Sequence, residues 1–194
     1  MFQMSDKTFN TLSKIQKALL VIMAIASIVM GVSLVITARS LTVFEDAIDS
    51  CILALLCLDF ALAMIFGFIY ANKGYSKQAH GYYKAMMCFY AFTAAIQFIA
   101  SFRESSFSLV ALIAIIKFVL LLILGFGKDL GKKNTWIIFY IVFVLELLFA
   151  PVLQFVDPSM TIALPAALSR LVIAGVLGLC IEAKYRDKDA RGTV

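Results

Sequence analysis

Asp59, Lys117, Glu146 and Arg170 each sit near the centre of a different apolar stretch of the chain. Two carboxylates can carry a proton or hold a cationic group. An ammonium and a guanidinium can hold an anionic one. Together they can also neutralise each other. Each stretch is about twenty residues long, enough to cross a bilayer as a helix. A charge at that depth costs about 2.5–3.5 kcal/mol on insertion scales, so such residues turn inward, pair, or line a wet cavity. At about 1.5 Å per residue the four fall in a band within roughly 3 Å of one plane. Gln97 lies about one helical turn nearer the outer side. These five residues, Asp59, Gln97, Lys117, Glu146 and Arg170, are the candidate substrate-binding site. Lys117 and Arg170 would take an anionic group, and Glu146 and Asp59 a cationic group or a proton. The structural alternative is two buried ion pairs that set helix register.

The elements that would position them are read from hydropathy. Of 194 residues, 63% are hydrophobic and 15% charged, with a mean hydropathy of +0.98. An ordinary globular domain is nearer half apolar and a quarter charged. Six apolar segments are expected as helices, roughly 18–38, 51–71, 83–102, 107–126, 136–156 and 161–181. The fold class expected is all-α: a polytopic membrane protein, a six-transmembrane-helix bundle of three hairpins. Residues 1–17 read as a cytoplasmic amphipathic segment, 18–183 as the transmembrane domain, and 184–194 as a basic cytoplasmic tail.

Thirteen Lys and Arg fall on one side of these segments, against Arg39 and Arg103 on the other. That bias places both termini inside, in a multi-pass protein of a bacterial-type cytoplasmic membrane. It also accounts for the net charge of +5 without a nucleic-acid partner. Thr42 and Glu45 have capping-box spacing and predict a helix start near residue 43. Asn134 is expected to cap the fifth helix, and Asp157-Pro158 to start the sixth. Pro151 and Pro165 are expected to kink the outer ends of the last two helices. Trp136, Tyr70, Tyr75, Tyr82 and Tyr83 read as an interfacial belt. Small residues four apart, such as Ser27/Gly31 and Ala63/Gly67, suit close helix packing.

No catalytic or metal signature is present. There is no serine elbow, zincin helix, Walker loop or CxxC pair. His80 and Cys88 have neither the spacing nor the surroundings of the six-span cysteine peptidases of the accessory gene regulator type. Cys51, Cys57, Cys88 and Cys180 are expected as free thiols. No enzyme activity, cofactor or metal is expected. In size and layout the chain is similar to the S components of energy-coupling factor vitamin transporters and to the acid-resistance HdeD-like family. No motif specific to either is present, and no family is assigned. The expected function is binding or transport of a small polar solute, as a substrate-binding subunit of a larger transporter. Membrane lipids and either transporter subunits or further copies of the chain would be its partners. The alternative is a non-transport membrane protein, a stress, immunity or scaffold component, or a homo-oligomeric channel.

Overall fold

Periodic apolar runs broken by short polar connections give six α-helices among the described residues. A computed structural model describes residues 4–101, 107–127, 131–156 and 164–189. The helices are α1 (Asp6–Ser40), α2 (Phe44–Asn72), α3 (His80–Ser101), α4 (Phe107–Phe126), α5 (Gly131–Val156) and α6 (Leu164–Asp189). A 3-10 turn, Lys77–Ala79, precedes α3. Consecutive helices pack side by side, and α6 returns to touch α1 and α2, which closes the bundle.

Helix ends follow local chemistry. Ser5 caps α1, its side chain accepting from the Thr8 backbone N–H. Val43 occupies the cap position of α2 and makes no side-chain cap bond, so Thr42 and Glu45 do not form the expected box. Glu45 and Asp46 still sit in the first turn, at the positive end of the helix dipole. Asn134 lies inside α5, because the helix begins at Gly131. Pro165 is the second residue of α6, where the missing N–H costs little. Asp157-Pro158 lies outside the described residues.

The core runs through all six helices, from Leu20 and Met23 through Phe60, Met64, Met86, Met87, Tyr90, Leu121 and Val142 to Ile173 and Leu177. Glycines set two of the closest approaches. A Cβ on Gly31 would lie 3.0 Å from the Leu58 side chain. One on Gly125 would lie 2.9 Å from Met87 Cβ, so α3 and α4 nearly touch there.

The expected six membrane spans are corrected by this structure. Among the described residues two helices, α1 and α2, are long and apolar enough to cross a membrane. The described apolar stretch of α4, Ala111–Phe126, is shorter. In α3, α5 and α6 the described residues hold no such stretch. The multi-pass localisation and the lipid and transporter partners rested on six spans and fall with them. The expected aromatic belt is corrected in part: Tyr70, Tyr75 and Tyr83 are buried in the core, while Tyr82 is exposed and Trp136 half-buried. α1 nevertheless leaves a line of large apolar side chains uncovered: Ile22, Ile25, Val29 and Ile36 are each more than half exposed.

Candidate functional site

Three of the five candidate residues meet. Lys117 on α4, Glu146 on α5 and Arg170 on α6 converge in the bundle interior. Lys117 Nζ lies 2.6 Å from Glu146 Oε1, and Arg170 Nε lies 3.8 Å from Glu146 Oε2. The Glu146 side chain is 0% exposed and that of Lys117 2%. The three helices share one carboxylate, which sits between the two cations.

Two further helices wall the network. Phe60 on α2 places its ring 5.8 Å from the Arg170 guanidinium carbon, within reach of a cation–π contact. Tyr90 on α3 buries its phenol beside Glu146. Burial, then the carboxylate's charge, pushes the phenol pKa well up, so Tyr90 stays neutral. Desolvation lowers the pKa of Lys117, while the Glu146 carboxylate opposes that shift. Arg170 is lowered by the same burial and also supported by Glu146.

Asp59 on α2 does not join this cluster. Its Oδ2 accepts a hydrogen bond from the Thr93 hydroxyl of α3. Burial pushes its pKa up to about 6, with the Thr93 bond pulling the other way. Gln97 lies on α3, one turn beyond Thr93, and its side chain falls outside the described ones.

Reasoning from charge alone missed Tyr90, Thr93 and Phe60. A signal for two of them was present. Tyr90 and Thr93 are three apart on one helix, so they share a face and meet Glu146 and Asp59 respectively. Phe60 carried no such signal, because phenylalanine is the commonest aromatic in this chain.

A second polar cluster lies where α2 ends and α3 begins. The Tyr70 hydroxyl donates to the Tyr75 carbonyl oxygen at 3.2 Å and lies 3.2 Å from Cys180 Sγ. The Tyr83 hydroxyl donates to the Leu124 carbonyl oxygen at 2.9 Å. His80 is exposed and stacks on Tyr83, ring centroids 5.2 Å apart. Cys88 is exposed and lies further along α3. A cavity of about 420 Å³ opens near this end, lined by Lys73, Ser76, Gln78 and Tyr82. It is well separated in sequence from the charge network. Among the described residues no group of three His, Cys, Asp or Glu could hold a metal.

The expectation of a solute site at the four charges is corrected. The interior holds a closed network of Lys117, Glu146 and Arg170, with the charged heads used against one another. Comparisons with family models, with curated proteins and with solved structures found no match.

Proposed function

We propose that the chain is a non-enzymatic structural bundle, in which the Lys117–Glu146–Arg170 network sets how the last three helices sit against one another. One observation carries this reading. Glu146 has no exposed side-chain surface and lies between cations from two other helices. Apolar packing tolerates sliding and rotation, because one leucine contact resembles the next. A single carboxylate shared by α4, α5 and α6 tolerates neither, since any slip strands a charge in the core. Tyr90 extends the same constraint to α3 and Phe60 extends it to α2.

A charge exchange tests the reading. The variants, each built on Arg170→Met so that no like charge is left beside residue 146, are Lys117→Glu, Glu146→Lys and the two combined. Each single change places like charges together in the core and should prevent folding or lower the melting temperature sharply. The combined change restores the pair with its direction reversed and should recover most of the loss, as read by circular dichroism. A double variant no better than the worse single would refute a register role. So would a melting temperature that rises with an added small solute in the parent and does not rise in Glu146→Gln, because that outcome makes the network a binding site.

A further inference from the structure

Asp59 stands apart from the other three central charges. Glu146 takes both cations, Lys117 and Arg170. Asp59 is buried, bonds to the Thr93 hydroxyl of α3, and among the described residues forms no ion pair. α2 packs on α1, α3 and α6, and none of them brings Asp59 a charge. α1 has no titratable side chain between Ala18 and Ala38. α6 brings Arg170, which is directed at Glu146 and the Phe60 ring. On α3 the titratable group nearest Thr93 in sequence is Tyr90, whose phenol lies beside Glu146 and stays neutral. On α2 itself it is Cys57, whose thiol burial keeps protonated.

Thr93 faces two acceptors with one hydrogen. Its hydroxyl meets Asp59 Oδ2 and also lies 3.2 Å from the Phe89 carbonyl oxygen, one turn back on α3. A single O–H cannot point at both. With Asp59 ionised, the carboxylate takes the Thr93 hydrogen and the Phe89 carbonyl loses the hydroxyl. With Asp59 protonated, the acid donates to Thr93 Oγ1, and the Thr93 hydroxyl donates onward to Phe89. Both contacts are then hydrogen bonds, and no lone charge is left in the core. The arrangement is fully satisfied only when Asp59 carries a proton. Burial favours the same state and pushes the Asp59 pKa up to about 6.

We propose that Asp59, Thr93 and the Phe89 carbonyl form a proton-controlled switch between α2 and α3: a proton taken up at Asp59 sends the Thr93 hydrogen to Phe89, and its loss to solvent turns that hydrogen back to Asp59. A threonine hydroxyl bonded to the carbonyl four residues back bends a helix slightly. The protonation state of a residue on α2 therefore sets the local bend of α3. The Phe89 ring stacks on Phe66 of α2, centroids 5.6 Å apart, so the bend acts at a second contact between the same two helices. The switch is separate from the Glu146 network and does not depend on its role.

A carbon-13 NMR titration of the full chain tests this, following the Asp59 side-chain carboxyl and the Phe89 backbone carbonyl against pH. In the parent the two should titrate together, with one midpoint near 6. An unperturbed aspartate would titrate at about 3.9. Asp59→Asn puts an amide N–H where the protonated acid donates. It should hold the Phe89 carbonyl at its low-pH shift at every pH. Thr93→Val should leave Asp59 titrating and the Phe89 carbonyl silent, and Thr93→Ser should restore the link. A Phe89 carbonyl that does not follow Asp59 in the parent would overturn the proposal, and that titration decides even where a variant fails to fold. A Phe89 response that persists in Thr93→Val would overturn it equally, because the coupling would then bypass the hydroxyl.

Discussion

Replacing Glu146 with glutamine removes one charge and leaves two cations facing each other in the core. The attraction lost can be bounded from the distances. At an effective dielectric of about 20, a pair at the 2.6 Å separation of Lys117 and Glu146 is worth about 6 kcal/mol, and one at the 3.8 Å of Arg170 about 4 kcal/mol. Most of this is offset, because a neutral glutamine at that position no longer suffers the several kcal/mol of carboxylate desolvation. The net cost of breaking a buried pair from one side is about 3–5 kcal/mol. With a urea slope near 2 kcal/mol per molar, the unfolding midpoint should fall by roughly 2 M. The comparison variant removes all three charges at once: Lys117→Met, Glu146→Leu and Arg170→Met. No charge is then stranded, and apolar replacement of a buried ionic cluster is often neutral or stabilising by about 1–4 kcal/mol. The triple variant should therefore unfold at or above the parent midpoint. The assay is urea unfolding followed by circular dichroism, with equal slopes required before midpoints are compared. A Glu146→Gln midpoint within about 0.3 M of the parent would refute the reasoning, because the network would then carry almost no energy.

Other outcomes follow from particular contacts. Asp59 has its pKa raised from 3.8 to about 6, so the folded state holds the proton more tightly than the unfolded chain. The stability this contributes is complete below pH 3.8 and is lost as pH rises through about 6. Asp59→Asn should flatten that part of the stability–pH curve, measured by unfolding at a series of pH values, and an unchanged slope would exclude the group. Gly125→Ala should destabilise by about 1–3 kcal/mol, because the new Cβ would lie 2.9 Å from Met87 Cβ, an atom that cannot swing aside. Gly67→Ala should cost less, since its nearest neighbour at 3.0 Å is the mobile Met86 sulfur. Equal losses in thermal melts of the two variants would contradict that distinction. A maleimide should label Cys51 and Cys88 in the folded protein and reach Cys57 and Cys180 after unfolding, as read by peptide mass spectrometry.

The division between what was legible in the residues and what was not follows from range. Helix number and approximate position were written in local hydropathy, and α2 starts near residue 43 as expected although the Thr42–Glu45 box that suggested it does not form. The importance of Lys117, Glu146 and Arg170 was also legible, because a charge inside an apolar run must find a partner wherever it lies. Their meeting around one carboxylate was not legible. It depends on the rotation of α4, α5 and α6 about their own axes, which long-range packing decides. The same freedom sent Asp59 to Thr93 and away from the cations. Hydropathy also misassigned the tyrosines of the α2–α3 region. A phenol at the end of an apolar run reads the same whether it faces outward or folds under a turn. The left-handed Gly74–Tyr75 turn, closed by bonds back to Ala71 and Tyr70, carries Tyr75 into the core, and the packing of α2 and α3 buries Tyr70 and Tyr83. Apolar content alone suggested six spanning helices. The tertiary structure committed part of that apolar surface to other helices and left large apolar side chains exposed on several of them, among them Ile22 on α1, Leu53 on α2, Leu112 on α4 and Leu148 on α5.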